Sequence, residues 1–198
     1  PHSEYLAKKL GIATLEIAYR NIGSEGTFSL AMEDIDTAYQ WAVDNANTYS
    51  LDLTNSFFSS GSAGTPLSSL ATQQYTDIKA YVDFNGIFNL VVNPNSSFPP
   101  NDSYYDHHLP SKSANSAFDN LRANPPLTLL LHGDADTTIN YSQSTLFTEA
   151  INQAGGTAQA IIYPGEPHAF FNVDFPQYED VLYEMAKFLK ENGIIQSE

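Results

Sequence analysis

Apolar positions along this chain recur with two different periods. Between Ser29 and about Asn47, residues Leu30, Ile35, Ala38, Trp41, Ala42 and Ala46 fall at helical spacing. This predicts a helix whose Trp41 packs onto a sheet. Residues 3–10, SEYLAKKL, predict the end of a helix with Ser3 as its cap and Gly11 as its stop. Further helices are predicted over 65–74, 141–156 and, with clear amphipathicity, 178–193. Shorter apolar runs predict strands at 12–19 (IATLEIAY), 54–60 (TNSFFSS), 78–86 (IKAYVDFNG), 127–133 (LTLLLHG) and 158–165 (AQAIIYPG). No internal repeat is visible.

Strands alternating with helices of this length predict an α/β domain: a mostly parallel sheet with helices on both faces. At 198 residues one domain spanning 1–198 is expected. Residues 87–126 break the alternation with NPNSSFPPND, YYDHHLP and ANPP, and a long irregular insertion of this kind predicts a lid. In parallel sheets, ligands bind beyond the carboxyl ends of the strands, so the loops leaving those ends are where chemistry is sought.

Composition narrows the partners. Eight basic residues against 23 acidic ones give a formal charge of −15, a surface that repels phosphate backbones and anionic headgroups. Neither nucleic acid nor membrane is an expected partner, and no run approaches the ~20 apolar residues of a membrane span. The absence of cysteine excludes disulfides and thiolate chemistry. The Asn-, Ser-, Thr- and Tyr-rich acidic composition suits a secreted or periplasmic protein. Sequons at Asn95, Asn101 and Asn140 arise easily by chance in so asparagine-rich a chain.

Three loops carry candidate chemistry. After the strand at 54–60 comes SGSAG, 60–64, and then a helix opened by Pro66. Strand, sharp turn and helix form the layout of a nucleophile elbow, which needs small residues two places either side of the nucleophile. Gly64 meets that need and Ser60 meets it imperfectly. Ser62 is the candidate nucleophile. The second loop, HGDADTTIN, offers Asp134 and Asp136 as the acid that would orient an imidazole. The third, YPGEPHAF, places His168 just past a strand. Serine, acid and histidine in that order at successive strand ends match the chain order of an α/β-hydrolase. Metal chemistry has less support: the D-x-D pair lacks further carboxylates, and His107–His108 has no third ligand.

The segments LAKKLGIATLEIAYR, AMEDIDTAYQWAVDNANTYSLD, SGSAG, LLLHGDADTTI and YPGEPHAF together resemble the carboxylesterase branch of the α/β-hydrolases, the group near hormone-sensitive lipase and the acetyl xylan and feruloyl esterases. The resemblance spans nearly the whole chain apart from 87–120. It implies Ser62 as nucleophile, His168 as general base and acid, Asp136 as the triad acid, and the Ala63 N–H as one oxyanion donor. It also implies hydrolysis of small acyl or carbohydrate esters with no cofactor. Alanine at 63, in place of the tyrosine of prolyl-oligopeptidase-like peptidases, favours esters over peptides.

The chain departs from that family at its start. PHSEYLAKK lies at or just before the family's first helix, so the preceding strands and the His-Gly-Gly oxyanion loop are missing. The expectation is an N-terminally truncated hydrolase, or one in which a partner segment or second copy fills the gap. The alternatives are a hydrolase-fold protein with a binding or structural role and, further off, a peptidase of the same fold. The aromatics of the insertion, Phe88, Phe98, Tyr104 and Tyr105, are candidates for stacking on substrate or for covering the core.

Overall fold

Among the described residues, four parallel strands form one central sheet: β1 (Phe57–Gly61), β2 (Ala80–Phe84), β3 (Leu127–Gly133) and β4 (Ala158–Tyr163), in the spatial order β1-β2-β3-β4. The structure is a computed structural model that describes residues 2–22, 26–90 and 112–195. β2 is buried along its whole length and β3 along all but its first residue. Strands covered on both faces must be apolar on both, so β3 reads as a continuous run rather than an alternating one.

Alternation of side chains then sorts the strand residues between two cores. Ala80, Val82, Phe84, Leu129 and Leu131 point to one face. There they meet Leu6 of α1 (His2–Leu10) and Val181, Met185, Phe188 and Leu189 of α6 (Tyr178–Glu191). Tyr81 and Leu130 point to the other and meet Phe147 and Ile151 of α5 (Ser142–Gln153). A third cluster joins α2 (Phe28–Tyr49) to α3 (Thr65–Gln74) through Phe28, Ala31, Met32, Ile35, Leu67, Leu70 and Ala71. Helix α2 begins where Thr27 accepts a hydrogen bond from the Leu30 N–H, and ends at Ser50, whose φ of 55° breaks the helical path.

Three expectations need correction. Residues 12–19 form no strand. A strand exists only where a neighbour takes its backbone groups, and among the described residues β1 pairs with β2 alone. Three apolar residues of 12–19 serve the helix-side clusters instead: Ile12 packs on the α1/α6 core, and Ile17 and Tyr19 on the α2/α3 core, while Leu15 faces solvent. Arg20 ties the end of this segment to α2, its guanidinium donating to both carboxylate oxygens of Asp34 and to the Leu30 carbonyl.

Trp41 does not pack onto the sheet. It is 44% exposed and rests against Tyr49, two turns further along α2, with ring centroids 5.5 Å apart. The buried face of α2 is set by its first half.

Nor do the first residues of the insertion form a lid: 87–90 are irregular, as expected, but lie in the core. Ile87, Phe88 and Leu90 are buried, and Phe88 stacks on Phe147 with ring centroids 4.4 Å apart, so Phe88 belongs to the core. The Gln143 side-chain oxygen accepts the N–H groups of Phe88 and Asn89, while Ser116, just after the short helix α4 (Lys112–Asn115), donates to the Phe88 carbonyl. Phe98, Tyr104, Tyr105, His107, His108, Asn95 and Asn101 lie outside the described residues.

Candidate active site

Strand β1 ends at Gly61 and the chain turns through Ser62–Gly64 directly into α3. So abrupt a reversal forces Ser62 to φ 50°, in the left-handed region that costs a non-glycine residue roughly 1–3 kcal/mol. Pro66 lies in the first turn of α3, where its missing N–H leaves no bond unmade. Ala63 occupies the exposed middle of the turn. Of the five non-glycine residues with positive φ among the described residues, three lie at this end of the sheet: Ser62, Asn85 and Ala169, the residue after His168. Strain of this kind concentrates where surrounding contacts over-determine the backbone.

The loops after β3 and β4 are laced together. The Asp134 N–H donates to the Tyr163 carbonyl and the Ala135 N–H to the Glu166 carbonyl, both at 3.1 Å. Gly133 makes this approach possible, because a Cβ there would stand 2.1 Å from the Glu166 carbonyl oxygen. The two candidate acids separate at this point. Asp134 is exposed and its Oδ1 accepts the Gly165 N–H at 2.6 Å, so it fastens the loops. Asp136 is buried and its Oδ2 lies 2.7 Å from His168 Nδ1. His168 Nε2 in turn lies 2.7 Å from Ser62 Oγ. The structure therefore brings Ser62, His168 and Asp136 into one hydrogen-bonded chain, drawn from three separate strand ends.

Proton positions follow from the carboxylate. Burial raises the Asp136 pKa, but hydrogen bonds from His132, His168 and the N–H groups of Ile139 and Thr138 outweigh it and carry the group well below the ordinary carboxylate range. An ionised carboxylate only accepts, so His168 carries its proton on Nδ1. Nε2 is then the free base, and the Ser62 hydroxyl donates to it. A second imidazole is fixed by the same logic. His132, wholly buried, has Nε2 2.9 Å from the Ile139 carbonyl and 3.2 Å from Asp136 Oδ2, two acceptors, so that nitrogen bears the proton. Its Nδ1 accepts from the Ser144 hydroxyl at 2.8 Å.

Two further groups at this site carry no sequence motif. Asn85, just past β2, donates from Nδ2 to Asp136 Oδ2 at 2.7 Å. Asp83, on β2, is buried beneath the Ser62 turn and accepts from three hydroxyls. Burial raises its pKa to about 6, against the opposing pull of Ser60, Thr65, Tyr81 and the nearby His132. The only sequence signal for either was its place at the end of a predicted strand beside the Ser62 loop. No cluster of three or more His, Asp or Glu able to hold a metal ion occurs among the described residues.

Comparison with known proteins agrees with this architecture. The BD-FAE family model matches residues 3–151. The chain is 25% identical over 191 residues to the probable isoprenylcysteine alpha-carbonyl methylesterase ICME of Oryza sativa subsp. japonica. That alignment covers 80% of this chain and 44% of the rice protein, so the chain spans less than half of the relative it matches. Among solved structures, Thermogutta terrifontis esterase 2 phosphonylated by sarin aligns with a TM-score of 0.77 at 23% identity, covering 86% of this chain and 68% of that one. The butyrate-bound form of the same esterase aligns with a TM-score of 0.75 at 24% identity, covering 90% and 72%. The fold is that of an α/β-hydrolase.

Proposed function

The chain belongs to the BD-FAE family, and from that premise we propose that it contributes the reacting side chains of a serine carboxylesterase. The observation that carries the reading is the continuous hydrogen-bonded path Ser62 Oγ–His168 Nε2, His168 Nδ1–Asp136 Oδ2, at 2.7 Å in each step.

Ser62 attacks the ester carbonyl carbon while its proton passes to His168 Nε2. Asp136 holds the ring in the required tautomer and stabilises the imidazolium. The collapsing intermediate expels the alcohol, which takes the proton back from His168. Water then repeats the sequence, releasing the acid and restoring Ser62. The Ala63 N–H, one residue past the nucleophile in the turn that leads into α3, is one oxyanion donor. Removing one such donor typically costs on the order of 3 kcal/mol of barrier.

Esters of small acyl groups, free or carried on carbohydrate, are the proposed substrates. The named relatives support the bond type: one is a methylesterase by name, and the other an esterase with butyrate bound. Turnover of p-nitrophenyl acetate and butyrate tests the reading, with Ser62→Ala as control. Activity that vanishes in Ser62→Ala supports it. Activity that survives removes Ser62 from the nucleophile role. A folded chain that binds esters without turning them over would favour the binding role instead.

A further inference from the structure

The position two residues before Ser62 is occupied by Ser60, where the turn asks for the smallest side chain. Its Cβ is tolerated and its hydroxyl has a destination. Ser60 and Asp83 are register partners on adjacent strands, and Ser60 Oγ donates to Asp83 Oδ1 at 2.6 Å. From the other flank, Thr65 at the start of α3 donates to the same oxygen, also at 2.6 Å. Tyr81 donates to it at 3.0 Å, and Ser68 reaches the group through Ser60 Oγ at 2.6 Å. Asp83 is 1% exposed, and its second oxygen is wedged against the following turn: a Cβ on Gly86 would lie 2.0 Å from Oδ2.

One carboxylate oxygen thus grips the chain at positions −2 and +3 from Ser62. The mechanism above makes no use of it. A buried carboxylate is costly, and the three hydroxyls on one of its oxygens offset that cost while ordering the segments that carry them. What lies between its two anchors is the left-handed φ of Ser62.

We propose that Asp83 is the positioning residue of the Ser62 turn, its carboxylate clamping Ser60 and Thr65 so that the Ser62 hydroxyl is held in line with His168. This rests on Ser62 being the nucleophile, but the clamp itself is a statement about the backbone and can be measured without chemistry.

The test compares the wild-type protein with Asp83→Ala, Ser60→Ala, Thr65→Val and the double variant Ser60→Ala/Asp83→Ala, with Asp83→Asn as the conservative control because its amide oxygen can still accept the hydroxyls. Backbone hydrogen exchange of residues 60–65 is read against that of β3, and the rate at which a fluorophosphonate labels Ser62 is read by intact mass. The clamp predicts that exchange of 60–65 speeds up at least tenfold more than that of β3 in Asp83→Ala, and by a smaller factor in the Asp83→Asn control. It predicts labelling slowed about tenfold in Asp83→Ala, since small misplacements of a reacting group are expensive. Ester turnover should lose kcat with KM within about twofold. The double variant should be no worse than Asp83→Ala alone, because both changes remove one contact. Equal changes in 60–65 and β3, or a wild-type labelling rate in Asp83→Ala, overturn the proposal. Should Asp83→Ala fail to fold, unchanged exchange of 60–65 in both single hydroxyl deletions overturns it equally. A wild-type protein that neither labels nor turns over esters refutes the esterase reading, and the exchange data still decide the clamp.

Discussion

Replacing Asp136 with asparagine changes one atom and sets the site against itself. In the wild-type protein Oδ1 accepts the Thr138 and Ile139 N–H groups, both at 2.8 Å. Oδ2 faces His168 Nδ1 at 2.7 Å, Asn85 Nδ2 at 2.7 Å and His132 Nε2 at 3.2 Å. All of these are donors. An asparagine that keeps its oxygen on the two backbone N–H groups turns its NH2 toward three donors. Flipped, it turns the NH2 on the backbone instead. The least costly escape is for His168 to move its proton to Nε2 and accept at Nδ1. Nε2 then presents a proton to Ser62 and cannot take one. Loss of kcat on the order of 10⁴ is expected, as for a triad histidine caught in the wrong tautomer. KM should move only a few-fold, since binding of the ester is not touched. Leaving buried donors opposed to donors should also cost about 1–3 kcal/mol of stability for each one unmatched. Steady-state kinetics on p-nitrophenyl butyrate with a urea denaturation curve measures both. A variant that keeps more than a tenth of the wild-type kcat would refute the assignment of Asp136 as the group that sets the tautomer.

Other consequences are open to measurement. Asn85→Ala removes a donor to the Asp136 carboxylate, and a hydrogen bond to a charged group is worth about 1.5–3 kcal/mol, so kcat should fall at least tenfold with little change in KM. Gly133→Ala drives a Cβ into the Glu166 carbonyl, so the loops bearing Asp136 and His168 must part; a loss near 3 kcal/mol in denaturation, with collapse of activity, is expected. Asp83, with its pKa raised from 3.8 to about 6 by burial, binds more protons folded than unfolded in that interval. Its contribution to stability is therefore full below about pH 4 and lost as pH rises through 6, a fall of roughly 3 kcal/mol. Asp136 works in the opposite sense, its carboxylate stabilising the fold above about pH 4 and ceasing to do so in acid. Denaturation midpoints between pH 4 and 8 should show the downward slope in the wild-type protein, and Asp83→Asn should abolish it.

Read alone, the sequence determined the elements whose signal is local. The helix from Phe28 to Tyr49, the helix opened by Pro66, the apolar run of β3 and the closing amphipathic helix each carry their own period, cap or stop. The order Ser62, Asp136, His168 was legible too, because topology sends successive strand ends to one edge of a parallel sheet. Tertiary structure decided what depends on a neighbour. IATLEIAY has the composition of a strand, yet among the described residues no strand of the sheet pairs with it, and Ile12, Ile17 and Tyr19 pack into the clusters shared with the helices. Trp41 has helical spacing and still lies outward. Spacing left Asp134 and Asp136 competing and the family resemblance favoured Asp136, but the tertiary structure shows what each touches: Asp134 the Gly165 N–H, Asp136 the His168 ring. Asp83 and Asn85 carry no motif because their partners, Tyr81 apart, stand 18 to 51 residues away in the chain. Periodicity is written between near neighbours along the chain, whereas strand pairing and buried hydrogen bonds are agreements between segments that meet only once it has folded.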